Sequence, residues 1–382
     1  MIIHIVSHGD TLYALSKEYH VSLDTLIHMN GLTTPDELVI GQALIIPSGN
    51  VNKATLPMIE INAYYTDFGA KGQNNLTQVA HDLTYVSPFS HQATAQGAIR
   101  PIETSSLLLI ARNHHVMPML VLTNYAGSMF SSDVAHAILN TPAVQDTLIT
   151  NALELMHSQG LKGLNIDFEY LYPQDKDAYN AFLRKVATRI HQAGFLLSTA
   201  LAPKTSANQQ GLLYVAHDYP VHGALCDFVV LMTYEWGWAG GPPWAIAPIN
   251  EVEKVLNYAV TAIPKHKIVM GVPTYGRDWT LPFVKGKSLA ETFDPQVAVE
   301  RAAQYKVDIQ YNTTYQAPFY RYVDAQHRAH EVWFEDARSI LAKLDLVKRY
   351  GLRGISLWTM PADFPQLWPV IENNVNVRKL TF

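Results

Sequence analysis

From Met58 onward the chain repeats one unit eight times: a short β-type run followed, in most cases, by a stretch of helical pattern. The runs are IEINAYY, LTYVSPF, MPMLVLTN, GLNIDFEY, FLLSTALAP, DFVVLMTYE, KIVMGVPTYG and GISLWTM. Strands joined through helices pair in parallel, because a crossover of a dozen or more residues separates them. Eight such units in about 325 residues suit a closed (β/α)8 barrel, for which ~250 residues are typical and insertions add more. The competing doubly wound sheet would show a Gly-rich turn after its first strand. IEINAYYTDFGAKG has no such turn. The expected fold class is therefore α/β, a TIM (β/α)8 barrel over residues 58–382. The surplus length falls between the seventh and eighth runs, at about 279–334. That stretch is rich in Tyr and β-branched residues, and Phe319, Tyr320, Tyr322 and Trp333 argue against disorder, so a small α+β insertion over the barrel mouth is expected.

The first 47 residues follow a different pattern. Ile3 and Ile5 alternate as in a strand, Leu12, Leu15 and Tyr19 recur at helical spacing, Leu23, Leu26 and Ile27 mark a second short helix, and Leu44 to Ile46 closes the unit before Pro47. A βααβ unit this small has little core, which suits an attachment module. SGNVNKAT within residues 48–57 reads as a polar linker. Composition narrows the classes further. Apolar residues make up 48% and charged residues 16%, enough to bury a sizeable core, and the net charge of -5 offers no basic footprint for nucleic acid. The single cysteine, Cys226, excludes an internal disulfide framework. No apolar run approaches the roughly 20 residues of a membrane span. The adjacent His114 and His115 would diverge on a strand or helix, and no metal or other cofactor is expected.

Chemistry concentrates in GLNIDFEY. Asn165, Asp167 and Glu169 sit two residues apart, so on a strand they share one face while Ile166 and Phe168 take the other. Three inward polar groups cost several kcal/mol unless bonded to each other or to a ligand, and the last lies at the C-terminal strand end, where barrel enzymes keep their active sites. Two carboxylates on one strand cannot easily flank a sugar from opposite sides, as the usual glycosidase pair does. A nucleophile carried by the substrate, such as a 2-acetamido group, would resolve that geometry.

Residues 163–169 resemble the DGxDxDxE signature of glycoside hydrolase family 18. Met232-Thr233-Tyr234 is similar to the family's Met-x-Tyr element, Trp358 to the tryptophan beneath the cleaved sugar, and Pro273-Thr274-Tyr275-Gly276-Arg277 occupies a family-like strand end. The resemblance implies that Glu169 is the general acid and base, that Asp167 orients the acetamido group, and that Tyr234 donates to its carbonyl oxygen. Met232, Tyr275, Arg277, Trp236 and Trp358 would contact substrate. Trp238 and Trp244 are also expected as subsite walls, and Glu235 either binds sugar hydroxyls or pairs with Arg277. Lys162 and Asn165 replace two family Asp residues. Asn165 is expected to donate its amide to Asp167 and favour the charged carboxylate.

The N-terminal unit resembles the LysM domain, a peptidoglycan- and chitin-binding module, through Gly9-Asp10-Thr11-Leu12, Asn30-Gly31-Leu32 and Gly41-Gln42-x-Leu44-x-Ile46-Pro47. That resemblance implies glycan contacts at Gly9, Asp10, Thr11 and Asn30. Helix capping by Asp10 and Thr11 and a turn at Asn30 are compatible readings. A LysM-like module before a family 18 barrel, with Asn165 and Ala202-Pro203-Lys204-Thr205-Ser206, resembles the bacterial spore-germination N-acetylglucosaminidases. The expectation is a monomeric, retaining hydrolase of spore-cortex peptidoglycan or its fragments. A chitinase-type hydrolase and a non-catalytic glycan-binding protein are the alternatives. The first residues lack a basic region followed by an apolar stretch, so placement in the spore without a signal peptide is expected, with non-classical export to the cell wall as the alternative.

Overall fold

The computed structural model describes residues 1–49 and 51–382. Eight parallel strands, Met58–Tyr65, Tyr85–Pro88, Met117–Thr123, Gly163–Asp167, Leu196–Leu201, Phe228–Leu231, Ile268–Pro273 and Gly354–Met360, form a ring that closes through pairing of the first and eighth. All eight coincide with the runs read from the sequence. Strands covered on both faces need apolar residues on both. The inward set includes Tyr85, Met119, Val121, Phe228 and Val230, with the Tyr85 and Phe228 rings stacked at 4.9 Å. The outward set packs under helices such as Lys176–Gln192, whose Tyr179, Phe182, Leu183, Val186 and Ile190 recur at helical spacing and are all buried.

Between the seventh and eighth strands stands a five-stranded antiparallel sheet built from Glu291–Phe293, Gly276–Thr280, Ala329–Trp333, Ala317–Val323 and Gln310–Asn312, in that order. Helix Pro295–Tyr305 packs on it through Ala298 and Ala302. Asp278, buried in this sheet, is held by Arg301 (2.5 Å), Tyr322 (2.6 Å) and His330 (2.7 Å). A buried carboxylate bonded on every side fixes the sheet as a rigid wall rather than a loose loop.

In the N-terminal unit, strands Ile2–Ile5 and Ala43–Ile46 pair antiparallel around helices Leu12–Glu18 and Leu23–Asn30. It is docked, not tethered at a distance. Ile45 belongs to the barrel's apolar cluster, the Arg338 guanidinium donates to the Gly41 carbonyl at 3.1 Å, and the Ile309 amide donates to the Ile40 carbonyl at 2.8 Å. Asn30 lies at the heart of this junction and is 2% exposed. Its amide donates to the carbonyls of Leu26 and Ile45, and its oxygen accepts from the Ile45 amide and from Gln366 of the barrel. A side chain so fully bonded has no capacity left for sugar. The expected glycan contact at Asn30 is replaced by a structural one. Among the described residues no helix is long and apolar enough to cross a membrane.

Candidate active site

The fourth strand delivers the acids. Ile166 and Phe168 face outward, where Phe168 stacks on Tyr179 and Phe182 at 6.2 Å each, leaving Asn165, Asp167 and Glu169 to face the barrel axis. Asn165 does not donate to Asp167 as expected. Its amide donates to Ser198 Oγ at 2.8 Å, and its oxygen accepts from the Tyr64 hydroxyl at 2.9 Å. Asn165 pairs with Ser198 in the ladder between the fourth and fifth strands, so the cross-strand hydroxyl is the nearer acceptor. Asn165 thus lies beneath the cavity, outside its wall.

Asp167 is 4% exposed and its Oδ1 has no hydrogen-bond partner. Burial pushes its carboxyl up to about 7, because desolvation penalises the charged form. Glu169 opens onto the cavity and is also pushed well up, first by burial, then by the charges of Asp167 and Glu235. Two acids this close do not both ionise easily. Burial and the neighbouring carboxylates thus favour the protonated form of Glu169, which can give its proton to an oxygen in the cavity.

Two residues not singled out in the sequence hold Glu169 in place. Asn124, one position past the third strand, accepts from the Glu169 amide at 3.0 Å and donates to the Glu169 carbonyl at 2.9 Å, bracketing its backbone. His217 is wholly buried, and burial lowers its pKa to about 4. Its Nδ1 accepts from the Ala202 amide at 2.8 Å, so Nε2 carries the proton and donates to the Phe168 carbonyl at 2.9 Å. A neutral imidazole thereby ties the end of the fourth strand to the end of the fifth. Neither residue belongs to a motif, and only the fold brings them to the site.

The cavity above has a volume of about 600 Å³. Trp358 forms its floor, stacked at 15° to the Tyr234 ring and met edge-on by Phe89 at 4.7 Å. The Tyr234 hydroxyl makes no hydrogen bond to a described residue. Its ring can lie against the seventh strand because position 271 is glycine: a Cβ there would sit 2.7 Å from the tyrosine ring. Burial raises the Tyr234 hydroxyl's pKa well above the usual range, keeping it a donor. Met232, Glu235, Trp236, Trp238 and Arg277 line the wall. Glu235 does pair with Arg277, at 2.8 and 3.0 Å, and receives the Tyr275 hydroxyl as well. Tyr275 consequently stands behind Glu235 rather than in the wall. Trp244, expected in a subsite, instead packs edge-on against Tyr315 within the insertion's apolar cluster. Lys162, in place of a family Asp, lies over the Phe382 ring at 5.7 Å, away from the cavity.

In the N-terminal unit, Thr11 Oγ1 caps the first helix by accepting from the Ala14 amide at 3.1 Å, and Asp10 accepts from the Ser7 amide and His4. Gly9 turns at φ +91°, a conformation that favours glycine. Asp10, Thr11, Leu12, Tyr13, Leu23 and Ile27 border a groove of about 390 Å³ that is closed by Pro35, Asp36 and Leu38.

The barrel, with carboxylates at the end of its fourth strand and an aromatic-lined cavity, has the form of a glycosidase. The chain belongs to glycosyl hydrolases family 18, which matches residues 60–363, and a LysM domain matches residues 4–47. It is 40% identical to the cortical fragment-lytic enzyme of Bacillus subtilis, with all of both chains aligned. The crystal structure of the Bacillus megaterium spore cortex-lytic enzyme SleL superposes with a TM-score of 0.95 at 39% identity, covering 99% of each chain. Di-N-acetylchitobiase of Rattus norvegicus is 28% identical over 60% of this chain and 69% of its own.

Proposed function

We propose that this glycosidase cleaves β-1,4 bonds after N-acetylglucosamine in peptidoglycan, with spore cortex or its fragments as substrate, by a retaining, substrate-assisted route. The observation that carries the reading is the pair Asp167 and Glu169 on one strand, while Glu235, the other carboxylate lining the cavity, is engaged by Arg277 and the Tyr275 hydroxyl. Glu169 protonates the glycosidic oxygen as the bond to the anomeric carbon breaks. The acetamido carbonyl oxygen of the same sugar attacks that carbon from the other face and forms a cyclic oxazolinium ion. Asp167 holds the acetamido N–H and balances the positive charge, while Tyr234 donates to the attacking oxygen and fixes it in line. Glu169, now ionised, takes a proton from water, which opens the ring with retention. Trp358 gives the sugar an apolar face, and Met232, Trp236, Glu235 and Arg277 border it.

Residues 1–47 serve as the glycan-attaching module, 48–57 as linker and 58–382 as the catalytic barrel, with an insertion at about 279–334. The protein acts as a monomer associated with the spore. The name of the 40% identical Bacillus subtilis relative, aligned over its full length, supports this reading over a chitin substrate. Mass spectrometry of products released from spore cortex, vegetative wall and chitin tests it. Fragments ending in reducing N-acetylglucosamine, released from cortex in preference, are expected. Release from chitin alone would transfer the assignment to a chitinase, and no release from any of the three would leave a glycan-binding protein.

A further inference from the structure

A second groove, of about 1080 Å³, runs between helix Leu23–Asn30 of the N-terminal module and the barrel helices Ala70–Val79 and Leu367–Asn374. It exceeds the catalytic cavity in volume and shares no residue with it. Ile27 borders both this groove and the module's own, so the two adjoin at that residue. Its walls cannot drift apart. Gln366 of the barrel donates to Asn30 at 3.0 Å and to the Ala43 carbonyl at 2.7 Å, both bonds buried, and the Arg338 and Ile309 contacts close the same junction.

The lining has unspent polar capacity beside an aromatic face. Trp368 lies half-buried along the groove, and its indole N–H donates to no described residue. Asn75 accepts from the Tyr65 hydroxyl at 2.8 Å and keeps its amide hydrogens free. Gln78 and His28 are exposed, and their side chains make no hydrogen bond to a described residue. An indole flanked by free amides matches a sugar ring, which offers an apolar face and an equatorial fringe of hydroxyl and acetamido groups. Carboxylates of Asp24, Asp363 and Glu372 outnumber the nearby histidines, which disfavours a polyanion.

We infer that this groove holds a stretch of neutral N-acetylhexosamine strand continuous with the one lying in the module's groove, so that module and barrel bind glycan as a single surface. The inference rests on the module's reading as a glycan binder. It gives the rigid docking a purpose: a strand bridging two bodies binds best when neither moves.

The test uses full-length Glu169→Gln protein, to prevent cleavage, titrated calorimetrically with N-acetylglucosamine trimer and hexamer. Gln78→Arg fills the groove from an exposed helix position, and Trp368→Leu removes the aromatic face. Each should lower hexamer affinity about ten-fold while leaving the trimer unchanged. Introduced alone, Gln78→Arg should leave trimer turnover unchanged. Hexamer affinity at the parent level in both variants would overturn the inference. So would equal losses for trimer and hexamer, or a dimer seen by sedimentation that Gln78→Arg dissociates, which would give the groove to a second copy. Absence of turnover by the parent protein, with hexamer binding intact, would instead strike the hydrolase reading, leaving the groove untouched.

Discussion

Asp167→Asn should make the protein more stable as it destroys activity, and the gain should depend on pH. An aspartate in an unfolded chain titrates near 3.8, whereas burial pushes the folded Asp167 up to about 7. Between those values the folded state holds a proton that the unfolded state has released. Stability therefore falls as pH rises from about 4 to about 7, the opposite of the usual salt-bridged carboxylate. At about 1.4 kcal/mol per pH unit, the raised pKa of Asp167 destabilises the fold by about 4 kcal/mol at pH 8 and about 2 at pH 5. An asparagine never ionises. Its amide brings its own fixed cost where Oδ1 now lacks a partner, but that cost does not change with pH. The difference in unfolding free energy between variant and parent should therefore grow by about 2 to 3 kcal/mol from pH 5 to pH 8. Urea denaturation followed by tryptophan fluorescence at both pH values measures it. A difference that is equal at the two pH values, or that shrinks toward pH 8, would refute the claim that Asp167 is a desolvated acid without a compensating partner. The same variant should lose at least ~100-fold in kcat, the scale of removing a group that faces transition-state charge.

Glu169→Gln should lower kcat on peptidoglycan fragments by several orders of magnitude with binding retained; unchanged turnover in product assays would remove Glu169 from its role. Asn124→Ala frees both backbone groups of Glu169 and should cost ~1 to 3 kcal/mol of stability and about 100-fold in kcat with little change in KM, and a KM effect alone would mean that Asn124 merely shapes the cavity. Deleting residues 1–47 uncovers Gln366 and the barrel surface under Ile45, so the melting temperature should fall by several degrees and binding to insoluble wall should weaken. An unchanged melting temperature by calorimetry would show that the docked interface adds nothing to the barrel's stability.

Much of the site was legible because barrel strands impose a two-residue period on both packing and chemistry. That period put Asp167 and Glu169 on one face and Phe168 on the other before any contact was known. The misreadings share a cause. Asn165 offers the same amide to Asp167 or to Ser198, and which is nearer depends on how the fourth and fifth strands register. Trp244 follows the wall residue Trp238 by six positions and Tyr275 precedes Arg277 by two, but a loop or a strand end can turn either way, and the insertion's core and Glu235 took them. Asn30 fits the module's glycan motif in sequence, yet its side chain is taken by Gln366, 336 positions away in the chain.

The order of eight strand-and-helix units, the βααβ unit ahead of them and the acids closing the fourth strand are local properties, written in periodicity and spacing, and the sequence by itself determined them. Charge states and supports are not local. Asp167 is pushed up to about 7 because surrounding strands exclude water from it, Glu169 is positioned by Asn124 and His217 from segments that follow other strands, and the module is fixed by a barrel residue at the far end of the chain. Only the tertiary structure decided these, because desolvation and hydrogen-bond choice depend on which distant groups arrive within about 3 Å.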